Sequence, residues 1–259
     1  MRALPLLRLP LLGLLPLLGW GACPEVRVLT YNIHHGEGID GRFDLQRIAR
    51  VIQNTHADIV ALQEVDQRTN RIRGIDTLAE LARMTGLQPL FGKSMNYDRG
   101  EYGNALLIRG VIHNHSVHPI PTSPGREPRS ILRAEVRLHD CPQPLLVLAT
   151  HWDHQSQTDR LAGAHLANQL AHASPRLPAL LAGDFNANPA NPAVKLLSGS
   201  WLITGAAAEL HTFPVEQPNI QIDYILARPA AAWTLVNARV LPEILASDHR
   251  PLLATLRLH

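Results

Sequence analysis

Six short polar clusters, each at the end of an apolar run, carry most of the chemistry this chain can offer: Thr30-Tyr31-Asn32, Gln63-Glu64-Val65-Asp66, Thr150-His151-Trp152-Asp153, Gly183-Asp184-Phe185-Asn186, Ile222-Asp223-Tyr224 and Ser247-Asp248-His249. Singly they say little, since a lone Asn32 is usually a turn or cap residue and a lone His151 a hydrogen-bonded surface histidine. Six together point to one task, because α/β sheets build their sites where strands end. Glu64 and Asp248 supply hard anionic oxygen and Asn32 a neutral carbonyl, a set that suits Mg²⁺ or Mn²⁺ better than a thiolate-seeking metal. Asp184 and Asn186 are two apart, so extended backbone would aim an acceptor and a donor at one small group such as a water. Asp223 can hold His249 in one tautomer and stabilise its cation, ready for a phosphate or oxyanion.

Those residues need strands and helices to hold them. Val26 to Asn32 reads as a strand; after a loop with Gly36, Gly38 and Gly41, Asp44 can cap a helix whose Leu45, Ile48, Val51 and Ile52 share a face. Asp58 to Gln63 is a short apolar strand, and a second helix is expected from Asp76. Strand-like runs at 103–109, 111–118, 130–138 and 144–150 form a section expected to be antiparallel. Ser156 can cap a helix to about His172, Pro178 to Gly183 is an apolar strand, and Pro192 sits where a helical turn starts. Runs at 221–227, 233–240 and 251–258 close the chain. Alternating and consecutive strands together predict α/β mixed sheets with helices packed outside. No polar linker interrupts 23–259, which reads as one domain.

The 259 residues are 46% hydrophobic and 18% charged, with glycine and proline scattered rather than periodic, which excludes collagen-like, solenoid and largely disordered chains. Residues 1–22 contain no acid: Arg2 and Arg8 precede or flank a leucine-rich run from Leu9 to Leu18, and Gly19-Trp20-Gly21-Ala22 follows, the pattern of a secretory signal. The run is shorter than the roughly 20 residues of a spanning helix, and Pro10 and Pro16 interrupt it. Removing Arg2 and Arg8 from the 24 basic residues leaves 22 against 22 acidic ones, so broad attraction to nucleic acid is not expected. Cys23 and Cys141 are the only cysteines, and an oxidising compartment would allow them to pair. Cys23 after Gly21-Ala22 also resembles the end of a bacterial lipoprotein signal, from which Trp20 departs; simple secretion is the preferred reading.

The six clusters, in order over nearly all of 25–257, resemble those of the endonuclease/exonuclease/phosphatase superfamily, which includes pancreatic deoxyribonuclease, apurinic endonucleases, neutral sphingomyelinases and inositol polyphosphate 5-phosphatases. Gly183-Asp184-Phe185-Asn186 becomes a strong signal with Leu62-Gln63-Glu64-Val65 before it and Ser247-Asp248-His249 after it. The resemblance implies a four-layer sandwich of two mixed β-sheets flanked by helices, and metal-assisted phosphoester hydrolysis. It implies Glu64 as the leading metal ligand, with Asn32 and Asp248 completing or supporting the site. Asp184 would orient or deprotonate the attacking water, and Asn186 would position it or the phosphate. His249, paired with Asp223, and His151 would bind phosphoryl oxygens. Gly100-Glu101-Tyr102-Gly103-Asn104 resembles a segment in which a carboxylate orients the equivalent of His151 and a tyrosine reaches phosphate, nominating Glu101 and Tyr102. Arg126-Glu127-Pro128-Arg129 offers a phosphate-binding arginine, with Arg129 preferred over Arg126. Thr150-His151-Trp152-Asp153-His154 and Tyr31-Asn32-Ile33-His34-His35-Gly36 are similar to an exported bacterial branch of unassigned substrate.

The expected activity is that of a phosphodiesterase dependent on Mg²⁺ or Mn²⁺ and acting on a small or lipid-linked diester. The rivals are an exported nuclease, a phospholipase C-like sphingomyelinase and a catalytically inactive binding module of the same fold; the full complement of polar clusters speaks against the last. Groove-entering loops and a hydrophobic membrane hairpin are not evident. A monomer is expected, periplasmic or secreted, with nucleic acid disfavoured as a partner and membrane contact only through a lipid substrate or a lipidated Cys23.

Overall fold

The computed structural model describes residues 25–205 and 210–259. The export segment 1–22 and the alternatives at Cys23 lie outside them. Twelve strands and four α-helices follow in the order β1 (Val26–Asn32), α1 (Leu45–Thr55), β2 (Ile59–Gln67), α2 (Thr77–Thr85), β3 (Gln88–Tyr97), β4 (Gly100–Ile108), β5 (Gly110–Pro119), β6 (Ser130–Leu138), β7 (Leu145–His151), α3 (Gln157–His172), β8 (Ala179–Asp184), α4 (Pro192–Ser198), β9 (Leu202–Ile203), β10 (Asp223–Arg228), β11 (Trp233–Val240) and β12 (Leu252–Leu258) among the described residues. Local chemistry starts each helix: Asp44 accepts from the Gln46 and Arg47 amides, Asp76 from Ala79, Ser156 from Asp159, and Asn191 from Ala193 beside Pro192.

The strands form two six-stranded sheets, ordered β11-β12-β1-β2-β4-β3 and β5-β6-β7-β8-β10-β9. Each has one parallel pair, β1 with β2 and β7 with β8, where a helix makes the crossover; their other pairs are antiparallel. The chain changes sheets between β4 and β5 and returns between β10 and β11.

Three apolar layers result. Val28, Ile59, Leu106, Leu132, Val147, Leu180, Ile225 and Ala254 fill the space between the sheets. Leu29, Val60, Leu62 and Leu107 face the other way, onto Ile48 and Ile52 of α1 and Leu78 and Leu81 of α2. On the second sheet Leu148, Leu181 and Leu226 meet Ala164, Ala167 and Leu170 of α3 and Val194 and Leu197 of α4. This is the expected four-layer sandwich, with period-2 alternation deciding which residues face the seam between sheets and which face helices.

Three departures from the sequence reading matter. β3 was not expected; it carries Pro89 and Gly92 and forms a sheet edge, where such residues are tolerated. β2 runs past Gln63 to Gln67. Asp184 and Asn186 are not joined by extended backbone, because Asn186 has φ 47° and its amide donates to Asp184 Oδ1 at 2.9 Å, a turn closed by the aspartate itself.

Candidate active site

Alternation assembles the site. On β1 the seam-facing positions are Val26, Val28, Thr30 and Asn32; the same parity carries β7 to His151, β8 to Asp184, and β10 back to Asp223 at its start. Register then sets these ends side by side, with His151 beside Asp184 and Asp184 beside Asp223. The loop before β12 brings Asp248 and His249, and the Ser247 hydroxyl donates to the Asn32 carbonyl at 2.7 Å.

Glu64 is the exception to alternation. Val60 and Leu62 face the helices, so a regular strand would send Glu64 there too. A register shift between Leu62 and Val65 interrupts the pairing of β2 with β4, and Glu64 takes φ 56°, in the left-handed region. A bulge of this kind re-aims a side chain at the price of local strain, and here it turns the carboxylate into the cleft. The glycine of Gly183-Asp184-Phe185-Asn186 has a steric cause: a Cβ there would collide with the Thr150 carbonyl of β7.

Behind the polar residues lies an aromatic rib. Trp152, Phe185 and Tyr224, each adjacent in sequence to a site residue, point to the helix side. Trp152 stacks on Phe185 at 4.0 Å between centroids and Phe185 on Tyr224 at 4.9 Å, and all three are fully buried. The rib locks the ends of β7, β8 and β10 together.

The hydrogen bonds in the cleft are continuous. The Asn32 amide nitrogen donates to Glu64 Oε1 at 2.9 Å and Asp184 Oδ2 at 3.2 Å, while its oxygen accepts from the His34 amide. The second lone pair of that oxygen remains for a ligand. Asp184 Oδ2 lies 3.4 Å from His151 Nε2 and 3.8 Å from His249 Nε2. His249 Nδ1 and Asp223 Oδ2 are 2.9 Å apart. Asn186 Nδ2 reaches His151 Nε2 and the Trp152 carbonyl, each at 3.0 Å.

Charge follows from this packing. Burial, reinforced by the neighbouring Asp223, raises Asp184 to about 7. Burial works against a charged His249, but Asp223 outweighs it and pushes the imidazole up to about 10. His151 goes the other way, held well below the usual histidine range by burial and by the Arg129 guanidinium. At neutral pH the cleft therefore holds a charged His249, a neutral His151 and a carboxylate near its midpoint.

Arg129 lines the cleft, 93% buried, with Nη1 2.6 Å from His151 Nδ1 and Nη2 3.3 Å from Glu127. An arginine can only donate, so Nδ1 of His151 is the acceptor in that contact, while Nε2 lies between the Asp184 carboxylate and the Asn186 amide. Arg126 pairs with Asp153 and Gln155 instead. Glu101 does not orient His151: it falls on the opposite face of β4 from Tyr102 and bonds Lys93 at 2.9 Å. Tyr102 is on the seam side and lines the cleft. Asp153 closes the turn ahead of α3, its carboxylate accepting from the Gln155 and Ser156 amides.

The cleft, about 360 Å³, is further lined by Arg71, Met95, Tyr97, His154 and Phe213. Sequence reasoning passed over Arg71, Tyr97 and Phe213; the one signal for Arg71 was its spacing from Asp66, whose buried carboxylate it clasps. For a divalent cation, Glu64 and Asp248 are the fitting donors. Both line the cleft, and among the described residues neither has an ion-pair partner to neutralise it. Asp184, Asp223 and His249 also bring three ligand-type atoms within 4.8 Å of one another. A protonated His249 has no lone pair to give, so that trio serves hydrogen bonding better than a metal.

Two mixed sheets stacked face to face, with carboxylates, amides and imidazoles gathered at one end of their seam, define a phosphoesterase-type α/β sandwich. The chain belongs to the Endonuclease/Exonuclease/phosphatase family, whose sequence profile matches residues 29–249 and whose members are hydrolases of phosphoesters. It is 29% identical to the uncharacterized protein YbhP of Escherichia coli K12 over 247 residues, 90% of this chain and 96% of that one. A family protein from Bacteroides thetaiotaomicron superposes with a TM-score of 0.76 at 20% identity, covering 92% of this chain and 99% of that one. A mannosyl-6-phosphatase of the same organism gives 0.75 at 20% identity, over 89% and 99%. These two likenesses establish the fold.

Proposed function

We propose that the protein is a divalent-metal-dependent phosphodiesterase that hydrolyses a small or lipid-linked diester by in-line attack of water. The observation that carries this reading is the convergence of Asn32, His151 and His249 on Asp184, 3.2, 3.4 and 3.8 Å from its Oδ2; burial raises that carboxylate to about 7, which suits taking a proton from water near neutral pH. Asn32 and the Asn186 amide hold that carboxylate in place. His249, kept cationic by Asp223, presents Nε2–H to a phosphoryl oxygen, and neutral His151, held by Arg129 at Nδ1, lines the same cleft beside Asp184. A cation held by Glu64 and Asp248, with Asn32 in support, would polarise the phosphoryl oxygen and offset its growing charge.

The fold leaves substrate choice open to the site, since phosphatases and nucleases share it. The balanced charge of residues 23–259 favours a small or lipid-linked ester over duplex DNA, and the signal-like 1–22 supports action outside the cytoplasm. The test is hydrolysis of DNA, RNA, sphingomyelin, glycerophospholipids, inositol phosphates and simple diesters with Mg²⁺ or Mn²⁺, repeated in chelator. Turnover confined to DNA, with steep salt dependence, would replace this reading with that of a nuclease. Equal turnover in chelator would remove the metal.

A further inference from the structure

One wall of the cleft is built around a cation that the reaction scheme above does not use. Arg71 sits on the loop between β2 and α2 and lines the cleft with Tyr97 and Tyr102. Its Nε and Nη2 grip the fully buried Asp66 carboxylate at 2.6 and 2.7 Å, and its guanidinium lies over the Tyr97 ring at 4.7 Å and the Tyr102 ring at 5.9 Å. The loop is pinned as well: Asp98 accepts from the Arg71 amide at 2.7 Å and the Asn70 side chain at 3.2 Å, and the Asp98 carbonyl accepts from the Asn70 amide.

Such fixing exceeds what neutralising Asp66 requires. Asp66 occupies one edge of the guanidinium and the tyrosines a face, while Nη1 has no hydrogen bond to the described protein and the side chain keeps 31% exposure. An arginine held this way has lost its rotamer freedom beforehand and offers its open edge as a planar, permanently charged fork. Tyr102 lines the same cleft as Glu64, Arg129 and Arg71, and its ring is 5.9 Å from the Arg71 guanidinium. The cleft thus pairs a reacting end with a cationic end.

Building on the phosphoesterase reading, we propose that Arg71, stacked on Tyr97, forms a second anion subsite that selects phosphoesters carrying a further phosphate or carboxylate beyond the scissile group. The chemistry shared by the two is a set of terminal anionic oxygens, and recognition here is noncovalent.

The test is calorimetric, with the Mg²⁺-loaded protein and three phosphonate analogues in which a P–C bond replaces the scissile ester. The three carry the same propyl arm, ending in a phosphate, a carboxylate or a methyl group. The expected result is that wild type binds one or both anionic arms about tenfold or more tighter than the methyl arm, the scale of one charge-assisted contact. That preference should fall to within about twofold in Arg71→Gln. Arg71→Lys, which still neutralises Asp66, should lose most of it too, because the fork is gone. Which arm is preferred identifies the anion. No preference in wild type, or an intact preference in Arg71→Lys, overturns the subsite. Turnover of the matching ester by wild type is read separately: preference without turnover keeps the subsite and removes the phosphoesterase reading, and turnover without preference does the reverse.

Discussion

Asp184 and His249 lie 3.8 Å apart, and their charge states move in opposite functional senses with pH. In the proposed reaction Asp184 would act on water only when deprotonated, so activity should rise through its value of about 7; His249 would grip phosphate only when protonated, so activity should fall through about 10. The expected kcat/KM profile is a bell between those limits, its lower limb moved down by bound cation, and Asp184→Asn should abolish that limb. His249→Ala should lower kcat by at least about 10²-fold in stopped or continuous assays of the best substrate. For stability the two groups work together. Each binds its proton more tightly when folded, Asp184 against an ordinary 3.8 and His249 against 6.5. Asp184 therefore stabilises fully below about 3.8 and loses its contribution as pH rises through 7; His249 does so from 6.5 through 10. Glu64 tests the cation: Glu64→Ala should weaken Mg²⁺ binding in calorimetry while circular dichroism stays unchanged. Asp184 was legible in sequence because it ends β8 on the seam-facing parity, whereas Glu64, on a bulge, and His249, on the loop before β12, were legible through the clusters Gln63-Glu64-Val65 and Ser247-Asp248-His249. Glu101 was misread because the same parity turns it outward, and Arg71 escaped because its partner Asp66 marks it only once both are folded.

At the scale of elements, the helices were legible from Asp44, Asp76, Ser156 and Pro192, since capping is local chemistry that a sequence displays. The bulge at Gln63 and Glu64 was not, because nothing in those residue types announces a left-handed glutamate. β3 stayed hidden for the same kind of reason, being defined by its position at an edge. The aromatic rib makes the sharpest demand on packing. A Cβ on Gly163 of α3 would lie 2.6 Å from Trp152 Nε1, and that ring cannot retreat because Phe185 backs it. Alanine gains about 1 kcal/mol over glycine in a helix, but overpacking costs about 1–3 kcal/mol, so Gly163→Ala should lower the denaturation midpoint. Phe185→Ala should cost about 3–5 kcal/mol by chemical denaturation and reduce kcat as well, through loosened ends of β7, β8 and β10.

For the whole molecule, the two sheets and their helices were predictable from the mixture of alternating and consecutive strands, whereas the order of strands within each sheet was not, since pairing is a long-range choice. Export belongs to this scale: mass spectrometry of protein recovered from cell envelope or medium should find an N-terminus beginning near Cys23, and an intact Met1 on cytosolic protein would contradict it. The pairing of β1 with β12 reaches further. Asn32 stands in the first strand, and the serine that holds its carbonyl is 215 positions later. No fragment that stops short of Ser247 can close the cleft, however well its early strands fold. On the proposed reading, a chain emerging from the ribosome would stay catalytically silent until Ser247 and β12 had arrived, so the onset of activity would follow the emergence of β12.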